Sequence, residues 1–481
     1  MNLAMVRYLI GWMLGVESLF LLLPALTAIL YREHVVLAYL GVAALCMAIA
    51  ALCCHKKPTN SRFYAREGFV TVALCWIVLA LTGALPFLFS GEIPSVVDAL
   101  FETISGFTTT GATILSDVEA LSHASLLWRS LTHWVGGMGV LVFMLIVLPL
   151  AGGQTIHLMR AESPGPSVSK LSPHLRDTAM ILYAIYFGMT VLETILLLLG
   201  GMPLFDAICT SMATAGTGGF GIWNTSIAHY NSYYLQAVVT VFMILFGINF
   251  SVYFLLLTRR WKNAFRIEEV RVYLGVILAS SVIIAINIRN LFPNFLDSFH
   301  HAAFQVASII TTTGFSTVDF DQWPALSKGI LVLLMFIGAC AGSTGGGMKC
   351  SRILLMCKSI RKEMQFLIHP RAVRVNKMDG RRVQHEVMRS VNVFMIAYLL
   401  LFILSVLLLC ITNEELITNF TAVAATLNNV GPGLEMVGPT ANFGFFTPLS
   451  KIVLMFDMLA GRLEVFPMLL LFNPATWRRE R

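Results

Sequence analysis

Four short glycine-containing phrases recur along this chain, each at the same place in a repeated hydropathy unit. The phrase TTTG at Thr108–Gly111 is repeated letter for letter at Thr311–Gly314. Looser copies stand at Gly216–Gly219, which reads GTGG, and at Asn428–Gly431, which reads NNVG. Each phrase follows a long apolar stretch and a short amphipathic one, and each precedes another long apolar stretch. This repetition predicts four equivalent units arranged with pseudo-four-fold symmetry around one axis.

The apolar stretches indicate that these units lie in a membrane. The chain is 57% hydrophobic and only 12% charged, whereas about a quarter of the residues of a soluble domain are charged. Its apolar runs are about 20 residues long, which is the length that a helix needs to cross a bilayer core of roughly 30 Å. We therefore predict an all-α polytopic membrane protein surrounded by lipid.

The repeated units divide the chain into five predicted segments. Residues 1–66 hold two N-terminal membrane helices and a basic loop, and the four repeats occupy 67–177, 178–267, 268–386 and 387–481, the last with a basic tail. The amphipathic half-spans lie near 94–107, 203–215, 294–310 and 414–427, and the inner spans near 128–150, 233–257, 327–357 and 447–472. The half-spans are too short to cross and must enter the membrane and return. We expect ten full crossings and four re-entrant loops.

The net charge of +7 is distributed as a membrane topology requires, which argues against a nucleic-acid partner. Basic residues fill one set of loops and the C-terminal tail: Lys56, Lys57, Arg62, Arg66; Arg160, Lys170, Arg176; Arg259, Arg260, Lys262, Arg266, Arg271; Lys358, Arg361, Lys362, Arg371, Arg374, Lys377, Arg381, Arg382; Arg478, Arg479, Arg481. The intervening loops carry Asp117, Glu119, Asp319, Asp321 and Glu435. The positive-inside rule places the basic loops and both termini in the cytoplasm.

The glycine-containing phrases have the chemistry of a selectivity filter for a monovalent cation. A conducted alkali ion sheds its water and needs replacement oxygens, which rings of backbone carbonyls supply. Aiming successive carbonyls at one axis demands unusual backbone angles, and glycine adopts positive φ without steric cost. The candidate filter residues are Thr109, Thr110, Gly111, Thr217, Gly218, Gly219, Thr312, Thr313, Gly314, Asn429, Val430 and Gly431.

These phrases also carry a family resemblance. TISGFTTTGATIL, MATAGTGGFG, TTTGFSTVDFD and TLNNVGPGL are similar to the four filter segments of the Trk/Ktr/HKT superfamily of potassium transporters, and the two extra N-terminal spans resemble its TrkH branch. The resemblance covers the whole chain. It implies four M1–P-loop–M2 repeats, each with one filter glycine, which match Gly111, Gly219, Gly314 and Gly431. Glycine at all four positions favours K⁺ as the transported ion, because serine in the first filter marks sodium-transporting relatives.

The resemblance also implies partners and a location. It predicts a homodimer with one pore per protomer, in the bacterial cytoplasmic membrane. It predicts control by a cytoplasmic TrkA-type ring of subunits that bind NAD(H), ATP and ADP, while this chain has no nucleotide-binding signature and no expected organic cofactor of its own. We find no nucleophile and base arrangement typical of an enzyme.

Two features of the inner spans are candidates for a gate. Three consecutive glycines, Gly345, Gly346 and Gly347, disfavour a helix by about 1 kcal/mol each relative to alanine, so the third inner span should unwind there. The alternative is close packing of small residues between helices. Arg462 lies within the fourth inner span, where an unpartnered charge is costly; it should face the conduction path or pair with Asp457 or Glu464. By resemblance, the glycine loop and Arg462, joined by Lys349, obstruct the path below the filter.

The sequence thus predicts potassium uptake through a gated carbonyl filter. A sodium/potassium symporter or a less selective monovalent cation channel of the same fold is the alternative within the family. A carrier with alternating access, built from broken helices, would need inverted repeats, whereas every repeat here starts from a basic loop. A non-conducting scaffold would not need four filter phrases.

Overall fold

The computed structural model describes residues 2–58, 65–147, 175–264, 266–371, 375–412 and 415–477. Within these ranges the chain is almost entirely helical, and the only paired strands are the two-residue β1 and β2, which form an antiparallel hairpin at Lys377–Met378 and Arg381–Arg382. The predicted basic loop around Arg160 and Lys170 and the tail Arg478–Arg481 lie outside the described residues.

The helices follow the predicted order of two N-terminal helices and four repeats. The N-terminal pair is α1 and α2, Leu3–Leu30 and Val36–Cys54. The outer helices are α3, α6, α11 and α15, at Ala65–Ser90, Leu175–Leu199, Glu268–Asn287 and His385–Cys410. The pore helices are α4, α7, α12 and α16, at Val96–Phe107, Leu204–Ala215, Phe295–Ile310 and Leu416–Leu427.

Among the described residues, the inner span is continuous only in the first repeat, which is described to Val147. The inner spans comprise α5 (His123–Val147), α8 and α9 (Tyr233–Phe246 and Phe250–Leu257), α13 and α14 (Ala325–Ile337 and Cys350–Ile368), and α17 and α18 (Pro448–Arg462 and Phe466–Phe472). Short helices α10 and α19 follow at Trp261–Ala264 and Pro474–Trp477. Two of the predicted inner spans are interrupted in a way that the sequence did not indicate: in 233–257, α8 and α9 meet at an angle of 92°, and in 447–472, α17 ends at Arg462 and α18 begins at Phe466.

Six described helices are long and apolar enough to cross a bilayer, and the bent pair α8 and α9 can supply a seventh crossing. All four outer helices are among the six. The outer helix α15 shows the expected division of faces, because Phe394, Tyr398 and Leu401 are buried whereas Ile403 and Leu407 are exposed. Such an apolar exposed face is suited to lipid. The tally of ten crossings stays a prediction for the remaining inner spans.

The pore helices are the most deeply buried part of the fold. From Phe304 to Ile310 every residue of α12 is fully buried, and α4 and α16 show the same burial toward their C-terminal ends. A proline stands at the start of two of these helices: Pro203 is the N-cap of α7, and Pro94 directly precedes the N-cap Ser95 of α4. The pore helices therefore form a central layer that the outer and inner helices enclose.

Candidate functional site

Each pore helix ends in the same hydrogen-bonded cap, and the cap is the start of the predicted filter. In the first repeat the N–H of Thr109 donates to the Gly106 carbonyl at 3.0 Å, and the N–H of Thr110 donates to the Ser105 carbonyl at 2.9 Å. These two bonds define a Schellman motif. The other three repeats form the same pair of bonds at Thr217 and Gly218, at Thr312 and Thr313, and at Asn429 and Val430.

The cap places a residue other than glycine in the left-handed backbone region in every repeat. Its φ is 55° at Thr109, 53° at Thr217, 60° at Thr312 and 54° at Asn429. A left-handed conformation costs a residue with a Cβ roughly 1–2 kcal/mol, and such strain collects at functional sites. Since all four repeats carry it, the strain belongs to the turn itself and is offset by the surrounding packing.

The second left-handed residue of each turn is the predicted filter glycine. Its φ is 78° at Gly111 and Gly219, 85° at Gly314 and 99° at Gly431. Each filter turn therefore contains two residues with positive φ within a stretch of three residues. Glycine is suited to this position because it adopts positive φ without a steric penalty.

The four turns meet in a closed ring around one axis. A Cβ added to Gly111 would overlap the carbonyl oxygen of Gly218, and those added to Gly219 and Gly314 would overlap the carbonyl oxygens of Thr313 and Val430. A Cβ on Gly431 would lie 2.7 Å from the Thr110 carbonyl oxygen. Each glycine therefore faces the carbonyl of the next repeat, in the cyclic order one, two, three, four, one. The prediction of four repeats around a single axis is confirmed.

Loops outside the ring join neighbouring repeats. The N–H of Val118 donates to Asn224 Oδ1 at 2.8 Å and links the first two repeats. The N–H of Ala228 donates to the Ser316 carbonyl at 3.2 Å and links the second and third. Finally, the N–H of Phe443 donates to the Thr113 carbonyl at 2.8 Å and connects the fourth repeat to the first. These bonds join the segments that follow the filter turns of adjacent repeats.

A buried ion pair contacts the backbone that directly follows the first two filter turns. Arg129 Nε donates to Glu102 Oε1 at 2.8 Å, and both side chains are almost completely buried. Glu102 also accepts from the backbone N–H of Ile114, and Arg129 Nη1 donates to the Gly221 carbonyl at 3.1 Å. Ile114 and Gly221 follow the filter glycines of repeats one and two. The pair therefore ties two filter segments to one inner helix.

Replacement of Arg129 by Met will destabilise the protein far more than replacement of Lys328 by Met. Removing one member of a buried pair leaves the Glu102 carboxylate without its counter-charge, which costs about 3–5 kcal/mol. The Lys328–Asp321 pair is partly exposed at 3.4 Å, and pairs of this kind contribute about 0–1 kcal/mol. Thermal unfolding in detergent measures the difference. An equal decrease in unfolding temperature in Arg129→Met and Lys328→Met would contradict the role of the pair. So would an unfolding temperature in the double variant Glu102→Gln/Arg129→Met that is no higher than in Arg129→Met.

His133 forms a second support between the same two repeats. Its Nδ1 lies 2.8 Å from the Gly106 carbonyl oxygen, and its Nε2 lies 3.2 Å from the backbone nitrogen of Phe220. A carbonyl can only accept and an N–H can only donate, so these partners require the tautomer with hydrogen on Nδ1. Glu102, Arg129 and His133 were not among the residues predicted from the sequence to form the site. Charged residues inside or beside apolar spans were the signal that could have identified the first two.

The third inner span unwinds at its glycines, as predicted. Between Ile337 and Cys350 there is no regular helix, and Gly338, Gly342 and Gly347 have φ of 67°, 73° and 59°. We call residues 338–349 the glycine-rich loop. Backbone groups of this loop find partners in the second inner span: the N–H of Cys340 donates to the Gly247 carbonyl, and the Gly342 carbonyl accepts from the N–H of Phe250, both at 3.0 Å. These bonds replace the helical ones that the loop lacks.

The glycine-rich loop lies directly against the filter turns of repeats three and four. The N–H of Gly346 donates to Thr312 Oγ1 at 2.9 Å, and the N–H of Gly347 donates to Asn429 Oδ1 at 3.2 Å. A Cβ added to Gly345 would lie 3.2 Å from the Thr311 carbonyl oxygen. The three consecutive glycines thus allow close approach of the loop backbone to the filter backbone.

Charged side chains hold the glycine-rich loop in place. Arg462 Nη1 donates to the Thr344 carbonyl at 2.8 Å, and its Nη2 donates to the Gly136 carbonyl on α5 at 2.6 Å. Lys349 Nζ donates to the carbonyls of Gly345 and Gly346 within the loop. Arg462 therefore connects the inner spans of repeats four and one with the loop of repeat three.

The remaining acids near the loop have other partners. Asp457, which was considered as an ion-pair partner of Arg462, accepts a hydrogen bond from Ser405 Oγ at 2.7 Å. Glu464, the second such candidate, pairs with Arg352. Glu269 Oε1 on α11 accepts from the N–H groups of Ala341 and Ser351 at 2.7 and 3.0 Å. Since these two residues stand near opposite ends of the loop, the Glu269 carboxylate joins the ends.

Comparison with known proteins places the chain in a family. It matches the TrkH family, described as cation transport protein, over residues 38–286 and 293–479. Trk system potassium uptake protein TrkH of Salmonella typhimurium is 38% identical over 485 residues, which cover 99% of this chain and 100% of the relative. Trk system potassium uptake protein TrkG of Escherichia coli is 34% identical over 98% of both chains.

A solved structure agrees with the fold. The crystal structure of the potassium transporter TrkH from Vibrio parahaemolyticus superimposes with a TM-score of 0.90 at 34% sequence identity, covering 99% of this chain and 100% of that one. The resemblance inferred from the filter phrases is confirmed, and with it the prediction of a transport protein rather than an enzyme. This chain belongs to the TrkH family of cation transport proteins.

Proposed function

We propose that this protein mediates potassium uptake through the ring of filter carbonyls. The observation that carries the proposal is the cyclic contact between each filter glycine and the carbonyl of the next repeat. Such a ring supplies oxygens that replace the hydration shell of a monovalent cation. Several relatives are named potassium uptake proteins, and this supports K⁺ as the ion.

The proposed path leads inward from the filter toward the glycine-rich loop. The C-terminal ends of four pore helices point at the filter turns, and each carries a partial negative charge of roughly half an elementary charge. An inside-negative potential contributes about 2.3 kcal/mol per charge for each 100 mV. Gly345, Gly346, Gly347, Lys349 and Arg462 form the proposed gate, because the loop lies against the filter turns and Arg462 holds it there.

Flux measurement tests the ion and the mode of transport. The purified chain, reconstituted into vesicles with an imposed negative inside potential, should take up ⁸⁶Rb⁺ in competition with external K⁺. Na⁺ at the same concentration should compete at least about tenfold less, a factor that corresponds to roughly 1.4 kcal/mol. Uptake no greater than in protein-free vesicles would contradict the proposal. Equal competition by Na⁺ would favour the less selective channel, and uptake driven by a Na⁺ gradient alone would favour symport.

We further propose that the protein is a homodimer in the bacterial cytoplasmic membrane, with its basic loops and both termini in the cytoplasm. The described basic residues support this orientation: Arg381 and Arg382 on the hairpin and Arg361 and Lys362 on α14 are exposed, and Lys358 Nζ of α14 donates to the Lys377 carbonyl of the hairpin. Such a surface is suited to a cytoplasmic partner. A TrkA-type ring that binds NAD(H), ATP or ADP is the proposed partner, and it should change ⁸⁶Rb⁺ uptake in the same vesicles in a nucleotide-dependent way.

A further inference from the structure

Two filter residues at equivalent positions accept hydrogen bonds from adjacent glycines of the glycine-rich loop. Thr312 and Asn429 are the left-handed cap residues of repeats three and four. Thr312 Oγ1 receives the N–H of Gly346, and Asn429 Oδ1 receives the N–H of Gly347. All four residues are buried, so water cannot replace these partners without movement of the loop.

The equivalent residues of the other two repeats make no such contact. Thr217 Oγ1 donates to the Gly216 carbonyl of its own turn at 2.7 Å. Thr109 Oγ1 is buried and has no hydrogen-bond partner among the described residues. Thr109 and Thr312 nevertheless stand in identical TTTG phrases with nearly the same φ, 55° and 60°. The contact with the loop is therefore what distinguishes the two threonines.

Asn429 extends the connection beyond the loop. Its Nδ2 donates to Thr110 Oγ1 in the first filter turn at 3.0 Å and to the Met458 carbonyl on α17 at 2.9 Å. One amide therefore contacts two filter turns, an inner helix and the loop. Because a left-handed backbone directs the side chain of a residue differently from a right-handed one, these contacts depend on the conformation of the filter turn itself.

We propose that Thr312 and Asn429 are positioning residues that fasten the glycine-rich loop to the filter, so that the loop moves away only when both side-chain bonds break. The proposal rests on the proposed function in one respect, namely that the loop obstructs the ion path. Loss of either acceptor leaves a buried N–H unsatisfied and shifts the loop toward a displaced position. The loop is then more often open without any regulatory partner.

Thr312→Val tests the proposal, since valine removes the acceptor and keeps a similar shape. Two readouts are needed: hydrogen exchange of peptides that contain Gly346 and Gly347, followed by mass spectrometry, and ⁸⁶Rb⁺ uptake by the reconstituted chain alone. We expect each to rise roughly fivefold, the factor that corresponds to loss of one typical hydrogen bond. Thr312→Ser retains the hydroxyl and should restore both toward the wild-type values.

Thr109→Val is the matched comparison, because it removes the hydroxyl from the same position of an identical phrase that does not touch the loop. The ⁸⁶Rb⁺ uptake of Thr109→Val therefore measures the effect of losing a hydroxyl from the filter alone. Hydrogen exchange of the peptides that contain Gly346 and Gly347 should stay at the wild-type rate. If Thr312→Val aggregates, Thr312→Ala removes the same hydroxyl without a branched side chain.

Several outcomes would overturn the proposal. Unchanged loop exchange in Thr312→Val and Thr312→Ala would show that the hydroxyl does not hold the loop. Equal rates of hydrogen exchange in the loop peptides of Thr109→Val and Thr312→Val would lead to the same conclusion. Hydrogen exchange of the loop could instead rise in Thr312→Val while no protein, wild type included, takes up ⁸⁶Rb⁺. That result would support the attachment of the loop to the filter by Thr312 and would refute the proposed function.

Discussion

Serine in place of Gly111 will reduce the discrimination between ⁸⁶Rb⁺ and Na⁺ in reconstituted vesicles by about tenfold or more, equivalent to roughly 1.4 kcal/mol. A Cβ at Gly111 would overlap the Gly218 carbonyl oxygen and come within 3.7 Å of the Thr313 carbonyl oxygen. These oxygens belong to the proposed ion-binding ring, so the ring must widen or lose its regular spacing. Gly314→Ser should act in the same way, because its Cβ would overlap the Val430 carbonyl.

Gly91→Ser is the control for backbone strain. Gly91 has φ of 77°, almost the same as 78° at Gly111, but a Cβ there would meet no atom within 4 Å. Both serines occupy the left-handed region at similar cost, and only Gly111→Ser intrudes on a carbonyl. We expect the control to retain the ion discrimination of the wild type. Similar discrimination in Gly91→Ser and Gly111→Ser would refute the assignment of the ring as the filter.

Alanine at Arg462 will raise ⁸⁶Rb⁺ uptake by the chain alone at least about tenfold. Arg462 donates to the Thr344 carbonyl of the glycine-rich loop and to the Gly136 carbonyl of α5, and hydrogen bonds from a charged group contribute about 1.5–3 kcal/mol each. Their loss frees the loop from two inner spans at once. It also removes a positive charge that would repel cations approaching through a low-dielectric region.

Two further substitutions separate these contributions. Arg462→Gln keeps an N–H donor but removes the charge, whereas Arg462→Lys keeps the charge but lacks the two-pronged geometry of guanidinium. High uptake with Gln and low uptake with Lys would assign the barrier to charge. The reverse result would assign it to the paired hydrogen bonds. Unchanged or lower uptake in a correctly folded Arg462→Ala protein would exclude Arg462 from the gate.

Much of this architecture was predictable because hydropathy and turn chemistry are local properties. Runs of apolar residues predict the outer helices, and the Gly111 and Gly314 phrases predict the turns that follow the pore helices. The unwinding at Gly345–Gly347 was also predictable, since consecutive glycines disfavour a helix whatever surrounds them. None of these predictions required knowledge of a partner residue.

The break in the second inner span was not predictable in the same way. Residues 233–257 form one apolar run, and the only local signals for a break are Gly247 and the N-cap Asn249. The reason for the bend lies in the third repeat. The N–H of Phe250 donates to the Gly342 carbonyl at 3.0 Å, and the N–H of Cys340 donates to the Gly247 carbonyl at 3.0 Å. The helix can break there because the glycine-rich loop supplies hydrogen-bond partners for the Gly247 carbonyl and the Phe250 N–H, which lack helical partners at the break.

The amino-acid sequence by itself determined where helices form, where they stop and which turns need glycine, since each of these follows from a few consecutive residues. Only the tertiary structure decided which group each buried polar atom meets. Thr109 and Thr312 stand in the same phrase with the same backbone conformation, yet only Thr312 accepts a bond from the glycine-rich loop. That difference arises because, in the part of the chain that the structure describes, the third inner span alone unwinds into such a loop, and it does so beside one pair of filter turns. Hydrogen bonds between distant segments leave no mark on the local sequence.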